Sequence, residues 1–207
     1  MDKFLKAMHF RHACKIFDEN KEIKEEDFLN ILEVGRLSPS SMGMEPTRFV
    51  VINDKKLKEE LRAICWDQVQ LTSASKVVVL KTLISPLLPP SNYVDSMSIR
   101  RGNTKEKREA WRKVYANFLE SMQNKGISLK AWTQKQAYIA ASSMMNYAAY
   151  IGIDSCPIEW FDIDGVNKCL GFDTFKESVA IILTFGYRIK EQQKRYRLGL
   201  DELVEYR

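Results

Sequence analysis

The sequence predicts one α+β domain spanning residues 1–207. Segments with helical spacing of apolar residues are mixed with short β-branched runs, and no steady β-α-β alternation links them. No internal repeat or linker divides the chain. With 45% apolar and 29% charged residues the composition is that of a packed globule, not a disordered chain. A chain of this length buries roughly 70% of its unfolded surface.

The elements follow in order. Lys24 to Gly35 reads as an amphipathic helix with Phe28, Ile31 and Leu32 on one face, ended at Gly35 or extended by Arg36 and Leu37. Ser38-Pro39-Ser40-Ser41-Met42-Gly43 carries turn residues and is a loop. Thr47 to Ile52 is a strand ended by Asn53-Asp54, and Leu57, Leu61 and Ile64 mark a helix after it. Lys76 to Lys81 is a second, buried strand. Pro86, Pro89 and Pro90 interrupt residues 82–103, which read as a lid-like excursion. A long helix from Thr104 to Gly126 has Trp111, Val114, Tyr115, Phe118, Leu119 and Met122 on one stripe. Leu129 to Tyr150 is a helix apolar or small almost all round after Gln136, which places it in a core or across a subunit interface. Ile153 to Ile158 is a strand, Val166 to Leu170 a short helix stopped at Gly171, and Ser178 to Phe185 the most apolar strand.

Several function classes are excluded. The amino end has no apolar stretch of the secretory kind, and no apolar run approaches the ~18 residues that span a bilayer. The four cysteines, Cys14, Cys65, Cys156 and Cys169, form no Cys-x-x-Cys pair and read as reduced thiols of a cytoplasmic protein. Neither G-x-G-x-x-G nor G-x-x-x-x-G-K-[ST] is present, nor a G-x-S-x-G elbow. Asp162-Ile163-Asp164-Gly165 lacks the spacing of a calcium loop and reads as a helix start. His9, His12 and Cys14 are too crowded for a tetrahedral metal site, so no metal is expected.

What remains is basic residues at the two chain ends. Arg11-His12-Ala13-Cys14-Lys15 precedes the first helix of this reading, and Arg195-Tyr196-Arg197 follows the last strand. Arginine grips phosphate bidentately and lysine acts as a point charge. Each cluster alone is more simply a solvated face. The net charge of +5 is mild, and no nucleic-acid signature accompanies it.

Four stretches, in order and suitably spaced, resemble the FMN-dependent nitroreductase family: Arg11 to Phe17, Ser38-Pro39-Ser40-Ser41 with Pro46, Gly152 to Glu159, and Arg195-Tyr196-Arg197. The resemblance implies a nitroreductase-like fold, with a central mixed or antiparallel sheet flanked by helices, in an intertwined homodimer. It implies FMN at the subunit interface, NADH or NADPH as donor, and a small conjugated acceptor such as a nitroaromatic or quinone. By the same resemblance Arg11 meets the FMN phosphate and Lys15 the N1/O2 side of the ring, and His12 and Ala13 between them are counted among the cofactor-binding residues. Ser40, Ser41 and Gly43 belong to a loop that reaches the partner's flavin. Phe118 aligns with an aromatic over the flavin, although its spacing alone predicts a core contact. Pro157, Ile158, Glu159 and Trp160 flank the ring, with the Glu159 backbone at N5. Arg195 and Arg197 close on the phosphate and ribityl side.

The residue types suit that chemistry. A reduced flavin carries negative charge near N1/O2, and a hydrogen bond from a charged group contributes ~1.5–3 kcal/mol. Hydride transfer belongs to the cofactor, so no triad or carboxylate pair is required. The chain departs from the family pattern at Ala13, where serine is common, and at Gly43-Met44-Glu45-Pro46-Thr47, which replaces Asn-x-Gln-Pro-Trp. Asp67 and Gln70 lie near positions often held by asparagine and lysine, and Trp160 stands where glycine is usual. The rival reading is a flavin-binding protein with little turnover.

Overall fold

The computed structural model describes residues 2–207. Its elements are α1 (Lys3–Phe10), α2 (Glu25–Leu37), β1 (Thr47–Ile52), α3 (Lys55–Ile64), α4 (Gln70–Ser73), β2 (Lys76–Leu83), α5 (Asn92–Arg100), α6 (Lys105–Asn124), α7 (Leu129–Tyr150), β3 (Asp154–Ile158), α8 (Ile163–Cys169), β4 (Glu177–Gly186) and α9 (Leu200–Leu203). The strands form one antiparallel sheet in the order β1-β2-β4-β3. The fold is α+β.

Strand periodicity sorts the core. Val77 and Val79 face one cluster, with Leu61, Cys156, Ile158, Val166 and Ile182. Val78 and Leu80 face the other, with Ile31, Ala140, Met144 and Phe185 beneath α2 and α7. Ala180 and Ile181 both lie in that second cluster because the register jumps there: Leu80 pairs Ile181, and Lys81 pairs Val179. Ala180 is the extra residue of a β-bulge. A third cluster, Met44, Leu87, Val94, Met97, Tyr115, Met122 and Trp132, lies under α5 and α6.

Two readings of the sequence change and one left open is decided. The first helix is α1, capped by Asp2 through hydrogen bonds from Phe4 and Leu5, so Arg11 to Lys15 follow a helix instead of preceding the first one. Residues 82–103 are not an open lid. β2 runs on to Leu83, and α5 starts at Asn92, its N-cap Ser91 accepting from Val94 at 3.1 Å. Of the two ends open to α2 the helix takes the later, Leu37, because Gly35 is needed for packing rather than termination. A β-carbon there would lie 2.8 Å from Met144 Sδ and from Phe49 Cζ. Among the described residues no helix is long and apolar enough to cross a membrane.

A basic cleft as the candidate functional site

After α1 the chain runs extended and is pinned between two strand ends. Cys14 N–H donates to Ser155 O at 3.0 Å, and Asp18 N–H to Tyr187 O at 2.8 Å. Ala13 bridges Ser155 in parallel, and Phe17 bridges Arg188 in antiparallel sense. Gly186 allows this approach, since a β-carbon there would lie 2.7 Å from Phe17 Cδ1. Beyond β4, residues 187–199 run without regular structure and form the opposite wall. Between the walls lies a cavity of about 670 Å³. It brings Arg11, His12, Ala13 and Lys15 from one chain end together with Arg195 and Arg197 from the other.

The charge of this cavity is unbalanced. Seven lysine and arginine side chains line it against one carboxylate, Glu191. One cation is committed to the fold: Arg188 Nε donates to Asp154 Oδ2 at 3.0 Å, and its Nη2 lies 2.5 Å from Oδ1. Among the described residues, Arg11, Lys15, Arg195 and Arg197 have no ion-pairing carboxylate. Arg195 Nη1 donates instead to Met8 O at 2.5 Å and Arg197 Nη1 to Tyr196 O at 2.6 Å. Burial, then the charges of Arg195 and Arg197, push the Arg11 pKa down. His12, 3.6 Å from Asp154, is likewise shifted toward its neutral form by burial and by Arg188. Like charges gathered in a partly desolvated cleft favour an anion that can accept several charge-assisted hydrogen bonds.

β3 leads from the cleft to a second group of residues. Lys15 Nζ stands 3.7 Å from Cys156 Sγ. Burial raises the Cys156 pKa, and Lys15 opposes the rise. Past Pro157 and Ile158, the Glu159 carboxylate accepts from the Tyr138 hydroxyl of α7 at 2.7 Å. Burial and this bond both raise the Tyr138 pKa. The Trp160 carbonyl accepts from Gln68 Nε2 at 2.7 Å, and Trp160 as a whole is 73% exposed.

The remaining predicted residues lie outside this cleft within one chain. Ser40 lines a separate cavity of about 240 Å³, and Ser41 N–H donates to Gln136 of α7 at 2.8 Å. Gly43 has φ 59° and a carbonyl that accepts from Arg101 at 2.8 Å. A β-carbon there would press on Arg101 Nη2, so both the turn and the close approach require glycine. Phe118 packs edge-on to Trp132 with ring centroids 5.5 Å apart, as its helical spacing alone predicts. Sequence reasoning passed over Arg188 and Tyr138. An aspartate in the buried strand Asp154-Ser155-Cys156 was the available signal for Arg188, because a buried carboxylate requires a cation.

A small α+β protein with one antiparallel sheet and a basic cleft built from residues near both chain ends is the class defined here. The nitroreductase family description matches residues 8–187. A Staphylococcus saprophyticus protein provisionally named NAD(P)H nitroreductase is 42% identical over 213 residues, covering 98% of this chain and 95% of that one. The crystal structure of a Bacillus subtilis protein provisionally described as a nitroreductase superposes with a TM-score of 0.86 at 22% identity, covering 99% of both chains. A structure from Exiguobacterium sibiricum, described as a provisional nitroreductase in complex with FMN, superposes at 0.78 with 21% identity, covering 100% of this chain and 98% of that one. The chain belongs to the nitroreductase family.

Proposed function

We propose that this protein is a cytoplasmic FMN-dependent oxidoreductase that takes hydride from NAD(P)H and reduces small conjugated acceptors by a ping-pong mechanism. The carrying observation is the cavity that joins Arg11, Arg195 and Arg197, none of which has an ion-pairing carboxylate among the described residues. Support also comes from the FMN named with the Exiguobacterium structure and the NAD(P)H in the Staphylococcus relative's name.

The residues present fit FMN. Arg11, Arg195 and Arg197 supply guanidinium forks for a phosphate, with the Ala13 backbone beside them. Lys15, further along and against Cys156, is the cation for the ring's electron-rich edge. When bound, FMN supplies the two-electron carrier between donor and acceptor. The protein's own work is electrostatic and positional. The guanidiniums hold the anionic end, Lys15 favours negative charge on the ring, and Tyr138 fixes the Glu159 carboxylate. Overall, a quinone, NAD(P)H and a proton give hydroquinone and NAD(P)⁺. A nitroarene with the same reductant and proton gives the nitroso compound and water.

The site is completed by a second subunit in this reading, since Ser40, Ser41, Gly43 and Phe118 do not line the cleft of their own chain. α7 supports the same reading: it packs its core face on the sheet yet leaves Ile139 and Tyr150 exposed. Sedimentation is expected to give a dimer, and a stable monomer that retains FMN would contradict the arrangement. Heat or acid denaturation is expected to release a flavin that chromatographs as FMN in near-stoichiometric amount. Recovery of FAD, or of no flavin from protein refolded with excess FMN, would sink the proposal.

A further inference from the structure

We propose that Trp66 and Trp160 form a stacking subsite for the planar electron acceptor, outside the basic cavity but tied toward Lys15 through Gln68 and Gln70. The proposal rests on the oxidoreductase reading above and names a specificity element within it. Trp160 is 73% exposed and Trp66 54% exposed, yet their rings stand together, centroids 5.9 Å apart and planes inclined at 37°. Adjacent exposed indoles leave a large apolar surface in water, which marks a binding face rather than an ordinary solvated one.

The arrangement is held at a cost. Trp66 has φ 56° and Asp67 φ 58°, two consecutive non-glycine residues in the left-handed region. Asp67 keeps that turn through its N–H to Arg62 O at 2.9 Å and its carboxylate to Arg62 Nε at 2.6 Å. A line of amides ties the turn to the cleft. Gln68 donates to the Trp160 carbonyl at 2.7 Å, and Gln70 to Gln68 Oε1 at 2.8 Å. Gln70 in turn reaches the Cys156 thiol, which lies 3.7 Å from Lys15 Nζ. The two tryptophans are thereby fixed relative to the residue assigned to the ring of the cofactor.

The occupant follows from that placement. The inclined rings make an open wedge, with indole faces available to a flat conjugated molecule in offset or edge-on contact. Among the described residues no lysine or arginine lies over either ring, so the face offers apolar stacking without a cation for the phosphates of the donor. A nitroarene or quinone of two fused rings matches this chemistry.

The test uses the flavin-loaded protein with Trp66→Ala, Trp160→Ala and Trp160→Phe. Equilibrium dialysis of 1-nitronaphthalene without NAD(P)H reads binding apart from turnover. Each alanine variant is expected to bind roughly three- to tenfold more weakly, and Trp160→Phe to recover most of the loss. In turnover, kcat/KM for 1-nitronaphthalene relative to ferricyanide, which has no planar ring, should fall by the same factor through KM. Unchanged binding in both alanine variants would overturn the proposal. So would equal losses for both acceptors, or conversion of the variants to monomers, which would make the pair a subunit contact. Failure of the unmutated protein to turn over, with tryptophan-dependent binding retained, would strike the oxidoreductase reading and leave the subsite standing.

Discussion

Arg188→Ala lowers the unfolding free energy by about 3–5 kcal/mol, because it strands a buried carboxylate. Asp154 is 4% exposed, and Arg188 meets it with both its backbone N–H, at 2.9 Å, and its guanidinium. The same guanidinium donates to Phe10 O at 3.3 Å, tying the end of α1 to the segment after β4. Urea unfolding of Arg188→Ala, Arg188→Lys and Lys190→Ala checks this. Lys190→Ala, a change on the cleft wall, should stay within about 0.5 kcal/mol. Arg188→Lys should fall between, keeping the charge without the fork. A loss below about 1 kcal/mol at Arg188→Ala would mean that Asp154 finds water or another partner.

How far the sequence could be read depended on whether the signal was local. β1 and α7 were legible to the residue because their boundaries carry their own chemistry. Asp54 ends one strand and caps α3 through Leu57 N–H at 2.7 Å, and Ser128 caps α7 through Ala131 N–H at 3.1 Å. α5 was hidden by the three prolines before it, although Ser91 with Asp95 in the first turn was a usable start signal. α1 was missed because Phe4 and Leu5 remain exposed and give no clean apolar face.

At the site, the residue types were legible but their adjacency was not. Nothing in composition brings Arg11 to Arg197. That follows from the Ala13–Ser155 and Phe17–Arg188 bridges and from the space left by Gly186. The resemblance supplied the pairing of the two chain ends, and the fold gives it a physical basis. The loop from Ser40 to Glu45 was still less accessible. Its course depends on left-handed backbone at Met42, Gly43 and Glu45, and only the glycine advertises that in sequence.

Arg197→Ala is expected to weaken FMN by ~1.5–3 kcal/mol, or roughly one to two decades in affinity. Its guanidinium has no carboxylate partner among the described residues and bonds only the neighbouring Tyr196 carbonyl, so a phosphate can recruit it without breaking an ion pair. Arg197→Lys should restore only part of the loss. Lys194→Ala is the matched comparison, a cation on the same wall that lies over the Tyr196 ring, 5.5 Å from its centroid. Fluorescence titration of FMN into the apoproteins reads all three. Equal, small losses at Arg197 and Lys194 would reduce the carboxyl-terminal segment to a solvated face.

The central claim is electron transfer through a flavin held in the basic cleft, and an anaerobic titration tests it most directly. The purified, FMN-loaded protein is reduced stepwise with NADH or NADPH while its visible flavin band is followed. A bicyclic quinone is then added. The account predicts stoichiometric bleaching by at least one of the two donors and full return of the band on stoichiometric addition of quinone. A bound flavin that neither donor bleaches would contradict the account and identify a flavin-binding protein without turnover.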